Sequence, residues 1–321
     1  MSAVSTPKIL LTEPIAAAGM DLLRAAGDVH VAHATDPATL AEPLATADAL
    51  VVRSSPVTAA MLEAAPRLKV VGRHGAGLDG IDLAAADRLG IPVVGTPGAN
   101  AESVAEFVIL AALTLARQAP PAVASLARGD FPPGRSLPSS VVAAGLTGTM
   151  LTGRTLGLVG FGAIGRGVAA RARALGMTVV AYDVAAPTPP EGVRLVDLDT
   201  LLDNADVVSL HVPQTPATTG LIGPAALTRM RPHALLVNTA RAGVVDTGAV
   251  LDALDAGRLR GYAVDVFHPE PPDPTHPLLH HPRVFATPHM AAMTHDALDA
   301  MATAVARGVL AHLTAPEGTR P

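Results

Sequence analysis

Residues 157–165 read Gly-Leu-Val-Gly-Phe-Gly-Ala-Ile-Gly, and residues 181–183 read Ala-Tyr-Asp. The first stretch ends an apolar run that begins at Thr155, turns on glycines and opens a helix predicted over 163–175. The second ends a strand predicted over 177–182. Strand, glycine turn, helix, strand and terminal acid, in that order, make a dinucleotide-binding unit. Gly160 permits the tight turn, Gly162 lets backbone approach a pyrophosphate, and Gly165 allows close packing of helix on strand. Ala163 and Ile164 begin the helix whose N-terminus receives the phosphates. Asp183, eighteen positions past Gly165, is placed to accept hydrogen bonds from the adenosine ribose hydroxyls and to repel a 2′-phosphate. NAD is therefore the expected cofactor, ahead of NADP.

The chain has 321 residues, rich in Ala, Val and Leu, enough for two domains with separate cores. Its longest largely apolar run, 107–116, lies between Glu106 and Arg117 and is too short to cross a bilayer, so no membrane span is expected. Residues 1–7 lack the basic stretch and apolar core of an export signal, and the cytoplasm is the expected location. The absence of cysteine excludes disulfides, thiolate metal sites and thiol nucleophiles. A net charge of −5 argues against a nucleic-acid partner, whereas a small anion needs only one or two placed arginines.

On the N-terminal side, β-rich runs at 8–11, 29–32, 49–53, 69–72 and 92–95 alternate with alanine-rich helical segments such as 15–26 and 59–65, which indicates an α/β unit. Residues 100–117 carry apolar side chains at helical spacing and read as a long buried helix linking two domains. Residues 118–150, broken at Pro132-Pro133-Gly134, show no strong pattern and are expected to form a loop or an intersubunit arm. Beyond Thr155 the alternation resumes. Strands are predicted at 206–211, 234–239, 262–266 and 284–286, with helices at 197–203 and 246–256, giving a second, doubly wound unit. A last helix, 291–313, is long enough to return to the first domain.

Arg241, Glu270 and His289 each stand just past an apolar strand, and in an open parallel sheet ligands bind beyond the carboxyl ends of strands. Hydride transfer at a carbon bearing oxygen needs a proton donor or acceptor. A histidine supplies it near neutral pH, and a neighbouring carboxylate orients the ring. An arginine binds a carboxylate and polarises a carbonyl with forked donors.

These residues sit in blocks that resemble the D-2-hydroxyacid dehydrogenase family, over about Lys8 to Thr294. The blocks are Val71-Gly72-Arg73-His74-Gly75-Ala76-Gly77-Leu78-Asp79, Asn100 to Phe107, the glycine turn with its Gly153-Arg154-Thr155 entry, His211-Val212-Pro213-Gln214-Thr215, Val237-Asn238-Thr239-Ala240-Arg241-Ala242-Gly243, Val264-Asp265-Val266-Phe267 before Glu270-Pro271, and Thr287-Pro288-His289. The resemblance implies two doubly wound parallel-sheet α/β domains. A Rossmann NAD domain, 100–289, would be inserted in a flavodoxin-like substrate-binding domain made of 1–99 and 290–321. It also implies that Arg241 binds substrate, Glu270 supports the histidine and His289 is the general acid/base. Asp265 would lie near the nicotinamide carboxamide. His211, Pro213, Thr239, Ala240 and Val104 would line the cofactor, and Gly75, Ala76 and Gly77 would offer amides to a substrate carboxylate. A homodimer is implied as well. Met150-Leu151 before Gly153 departs from the family's usual Glu-Leu, a difference expected to touch surface and not chemistry. Formate oxidation releases no hydroxyl proton, so a carboxylate beside the histidine argues for a small 2-hydroxy or 2-oxo acid.

Some assignments stay open at this level. Arg53, which ends the run 49–53, either receives an acidic tail of the substrate or makes a structural ion pair, and His74 is expected to shape the same pocket. His276, His280 and His281 lie in a proline-broken stretch and are read as packing or exposed residues, with no metal expected. An NAD(H)-sensing binding protein like the corepressors that keep similar catalytic residues, and a dehydrogenase acting on phosphite, remain alternatives. No regulatory extension is expected past Pro321. The particular acid and the preferred direction are not legible.

Overall fold

The apolar runs around Leu10 and Leu50 become two of the three inner strands of a five-stranded sheet. Both faces of that sheet are covered, so its strands read as continuous runs and not as alternation. The computed structural model describes residues 6–185 and 188–314. The outermost parts of the expected substrate-binding segments, the start of the export-signal window and the expected lack of an extension past Pro321 lie outside the described residues. The chain forms two units, Met1–Asn100 with Met293–Pro321, and Ala101–Ala292.

In the first unit the strands are β1 (Lys8–Leu11), β2 (Asp28–Val31), β3 (Ala49–Val52), β4 (Val70–Arg73) and β5 (Val93–Val94), all parallel in the order β2-β1-β3-β4-β5. This is the flavodoxin-like order, with its reversal point between β1 and β3. Successive residues point to opposite faces. Leu10, Leu50 and Val52 pack with Leu40, Leu62 and Ile81 on one side, while Ile9, Leu11 and Val51 pack with Leu23, Val305 and Val309 on the other. The last helix, His295–Thr314, lies so close to β4 that a Cβ on Gly72 would come 2.6 Å from Val309. It starts later than expected because Thr294 caps it, its hydroxyl accepting from the Ala297 amide at 3.2 Å. The helix Pro37–Thr46 has no counterpart in the sequence expectations. Pro43 lies inside it, and its start is fixed by Asp36, whose side chain accepts from Ala38 and Thr39 amides at 3.1 Å.

The second unit holds β6 (Thr155–Val159), β7 (Thr178–Tyr182), β8 (Val193–Leu195), β9 (Val207–Leu210), β10 (Ala234–Asn238), β11 (Leu259–Val264) and β12 (Val284–Ala286). They form one parallel sheet in the order β12-β11-β10-β9-β6-β7-β8. The chain winds outward from β6 through β8, returns, and winds the other way from β9 to β12, which puts the crevice of this sheet between β6 and β9. The helix Ala101–Ala116 is largely buried apart from a stripe through Glu102, Glu106, Leu110 and Leu113, and Ala105 lies 3.1 Å from a Cβ built on Gly167 of the helix Ala163–Ala174. Residues 118–150 correct the expectation of a patternless loop. They contain the helices Ala119–Arg128 and Leu137–Ala143. The first has no buried residue. Prolines in its first turn and Gly129 at φ 74° delimit it. No single described helix is long and apolar enough to cross a membrane.

Candidate active site

At the end of β6, Gly160 has φ 97°, and a Cβ there would stand 2.6 Å from the His211 carbonyl oxygen, so only glycine fits. Gly165 faces the Gly160 carbonyl at a distance that would leave its Cβ 2.5 Å away, whereas a Cβ on Gly162 would meet nothing within 4 Å. The turn is therefore closed on the protein side and open at Gly162, where Ala163 and Ile164 start the helix. Asp183, just past β7, accepts from the Phe161 amide (2.6 Å) and the Ala185 amide (2.7 Å). Arg166 Nε donates to the Phe161 carbonyl at 3.3 Å, and its guanidinium lies 5.8 Å from the Phe161 ring centre. Both backbone groups of buried Phe161 are thus held by charged side chains.

His211 follows β9. Its Nε2 lies 3.0 Å from Ser209 Oγ, its Nδ1 is shut away with no partner among the described residues, and burial pushes the imidazole down to about 4. Thr239 Oγ1, after β10, is likewise buried and unpartnered, next to buried Ala240. Pro213 is exposed past β9. An open glycine turn at a helix N-terminus, an acid at the end of β7 and orphaned polar atoms at the ends of β9 and β10 fit a dinucleotide laid along this edge. Val104 is buried within the helix Ala101–Ala116.

Three neighbouring strands carry the remaining polar residues. Arg241 follows β10, Asp265 and Glu270 follow β11, and His289 follows β12. The parallel pairing of β10, β11 and β12 brings all four to the same edge of the sheet. His289 Nδ1 faces Glu270 at 2.9 Å to Oε2 and 3.1 Å to Oε1, while Glu270 Oε1 also accepts from the Phe267 amide at 2.9 Å. His289 has φ 54°, a left-handed backbone uncommon outside glycine, and its own amide donates to Thr287 O at 3.0 Å. Asp265 is 1% exposed. It accepts from Thr287 Oγ1 (2.7 Å), the Met290 amide (2.8 Å) and the Ala291 amide (2.9 Å), gripping the segment that carries His289.

Arg241 Nη1 donates to Ala240 O at 2.7 Å. Its backbone is fixed by Asn238, which sequence reasoning missed. That fully buried amide accepts from the Ala240 amide and donates to the Arg241 carbonyl, both at 3.0 Å. The available signal was an Asn at a strand end just before the arginine, a residue that bonds its own following backbone. His276, His280 and His281 do not converge. His276 Nδ1 accepts from the Leu278 amide at 3.2 Å, His280 Nε2 meets Pro274 O at 2.7 Å, and His281 Nε2 meets Asp255 at 3.3 Å.

In the first unit, Arg53 follows β3, and its Nη2 lies 3.4 Å from Met293 Sδ. It makes no ion pair among the described residues, so the structural ion-pair alternative has no support there. His74, just past β4, is 3% exposed, and its Nε2 has no partner among the described residues. Burial first, and then the nearby charges of Arg53 and Arg73, hold it below the usual histidine range. The Gly75 amide donates to Arg73 O at 2.9 Å. The Ala76 and Gly77 amides donate to no group among the described residues.

The sequence matches the family model described as D-isomer specific 2-hydroxyacid dehydrogenase, NAD binding domain, over residues 109–291. It is 41% identical over 308 residues to D-3-phosphoglycerate dehydrogenase 2, chloroplastic, of Arabidopsis thaliana, covering 94% of this chain and 48% of that protein. Identity to the D-3-phosphoglycerate dehydrogenase of Methanocaldococcus jannaschii is also 41%, over 94% of this chain and 56% of the relative. The chain thus spans about half the length of these curated relatives. A crystal structure of a Thermus thermophilus protein, 35% identical, superimposes with a TM-score of 0.87 over 98% of this chain and 99% of that one.

Proposed function

Because the chain belongs to the D-isomer specific 2-hydroxyacid dehydrogenase family, we propose that it is an NAD-dependent oxidoreductase that interconverts a small D-2-hydroxy acid and its 2-oxo acid. The observation that carries this reading is the His289–Glu270 pair, 2.9 Å apart, on the sheet edge that also bears Arg241. When bound, NAD accepts or supplies the hydride. The chain's own residues then handle charge and protons. Glu270 accepts from His289 Nδ1–H, which fixes the tautomer and leaves Nε2 to exchange a proton with the substrate oxygen. During reduction of the oxo acid the imidazolium gives up that proton, and Glu270 stabilises the charged ring beforehand. Arg241 binds the substrate carboxylate and polarises the carbonyl with forked donors. Asp265 keeps the 287–291 segment in place beside the nicotinamide end of the site.

Arg53, with no carboxylate partner among the described residues, is proposed to receive an acidic tail on the substrate, phosphate, sulfonate or a second carboxylate, with His74 shaping the same pocket, while the Ala76 and Gly77 amides are proposed to face the substrate carboxylate. The same proposal includes a cytoplasmic homodimer, supported by the exposed apolar side chains of the helix Ala119–Arg128. The test is NADH consumption with glyoxylate, hydroxypyruvate, phosphohydroxypyruvate, sulfopyruvate and pyruvate. The proposal expects one clear substrate whose turnover disappears in His289→Ala. Tight NADH binding with no turnover of any 2-oxo acid would overturn it in favour of a sensor.

A further inference from the structure

We infer that Glu13, outside every motif of this chain, is the positioning residue of the acidic-tail subsite; this rests on the reading of Arg53 given above. Glu13 follows β1, Arg53 follows β3, and the two strands are neighbours at the reversal point of their sheet. Ligands of open parallel sheets gather there. The loop after β3 turns three consecutive amides toward Glu13. Arg53 N donates to Oε2 at 3.1 Å, while Ser54 N and Ser55 N donate to Oε1 at 2.9 and 3.1 Å. Ser55 Oγ adds a fourth bond to Oε1 at 3.1 Å, and Thr12 Oγ1 donates to Oε2. Successive amides converging on one point form an anion-binding concavity. Here the chain supplies its own anion.

Two consequences set the chemistry of Arg53. Its backbone is anchored by a carboxylate at the root of the side chain, so the guanidinium starts from a fixed point. That carboxylate is saturated by amides and hydroxyls and forms no ion pair with the guanidinium, whose hydrogen-bond partner is the weak acceptor Met293 Sδ. Glu13 therefore aims Arg53 without neutralising it. A forked cation held this way selects an acidic tail through charge-assisted hydrogen bonds. Hydrogen bonds from Thr12, Arg53, Ser54 and Ser55 outweigh the upward push of partial burial and hold the Glu13 carboxyl below its usual range, in keeping with a permanent anion in the nest.

The experiment compares kcat/KM for phosphohydroxypyruvate with kcat/KM for hydroxypyruvate, which lacks the acidic tail, in wild type, Arg53→Ala, Glu13→Ala, Glu13→Gln and the double variant Glu13→Ala with Arg53→Ala. A general loss of structure lowers both values and leaves their ratio unchanged, so the ratio is the readout. Glu13→Gln, nearly isosteric, keeps the test usable if Glu13→Ala does not fold. The ratio should fall about tenfold or more in Arg53→Ala and in Glu13→Ala, and by less in Glu13→Gln. The double variant should lose no more than Arg53→Ala alone, since both act through one group. A fall in Arg53→Ala with an unchanged ratio in both Glu13 variants would overturn the positioning role and leave the tail subsite standing. An unchanged ratio in Arg53→Ala, or no turnover of either acid, would overturn the tail subsite itself.

Discussion

His289 holds a left-handed backbone at φ 54°, a conformation that costs a non-glycine residue roughly 1 kcal/mol or more and persists only when its surroundings fix it. Glu270 and the Thr287 carbonyl fix it here. Replacing His289 by Ala should lower kcat by about 10²–10⁴ through loss of proton transfer. Glu270→Gln keeps a hydrogen-bonding side chain but removes the charge that favours the imidazolium, so its kcat loss should be smaller and largest for reduction. Steady-state rates in both directions check this. Asn238→Ala should raise KM for the oxo acid more than it lowers stability, because it frees the backbone on which Arg241 stands. His211 gives a pH-dependent prediction. Burial depresses it to about 4 from an ordinary 6.5, so the folded chain refuses a proton that the unfolded chain takes up. The stability tied to its neutral ring is complete above the unfolded value and is lost as pH falls toward the folded one. In urea unfolding at about pH 7 and about pH 4.5, His211→Gln should lose less stability on acidification than wild type, and an equal loss would refute the assignment. His74, also depressed, acts in the same sense in both proteins and cancels. That Arg241, Glu270 and His289 lie at one edge of the sheet was legible because each is a polar residue a few positions past an apolar run. Glu13 was not, because its partners are backbone amides in a loop without periodicity, forty or more residues away; Asn238, whose backbone partners lie two and three residues on, had only its place before the arginine to mark it.

The glycine turn allows two substitutions of similar size to be separated. Gly160→Ala forces a side chain into φ 97° and against the His211 carbonyl. It should destabilise the protein by about 1–3 kcal/mol as well as weaken dinucleotide binding. Gly162→Ala meets nothing of the protein within 4 Å, so the melting temperature should hold while NADH affinity falls at least about tenfold, from loss of backbone approach to the pyrophosphate. Melting curves and a fluorescence titration with NADH distinguish the two. Equal melting losses in both variants would mean that the open side of the turn has been misplaced. This element was readable because strand, turn, helix and acid follow one another within thirty residues. Other elements were hidden for physical reasons. Pro43 lies inside the helix Pro37–Thr46 and masks its periodicity, β8 is three residues long, and the helix Ala119–Arg128 is only ten residues long and opens on two prolines, which mask its start. The late start of the last helix came from a cap at Thr294 that an alanine-rich run does not announce.

At the scale of the whole chain, the alternation of strands and helices gave two parallel sheets, since parallel strands need covering helices on both faces and so leave continuous apolar runs. A dimer is expected only through resemblance, and the exposed apolar residues that bear on it lie in residues 118–150. In the helix Ala119–Arg128, Val123 is 67% and Leu126 59% exposed, three positions apart and therefore on one face. Leu137 and Val142, both in the next helix, are 54% and 66% exposed. Single exposed apolar side chains need no explanation, but an amphipathic helix with its apolar face uncovered does. A second copy of the chain covering it would explain why these residues are apolar. The double substitution Val123→Glu with Leu126→Glu should leave far-UV circular dichroism unchanged, because neither side chain is buried in its own chain. It should also shift the mass measured by light scattering at micromolar concentration from dimer to monomer, through charges buried without partners at the contact. A wild-type chain that is monomeric under those conditions, or a dimer indifferent to both glutamates, would remove this helix from the interface and leave its apolar face to another partner.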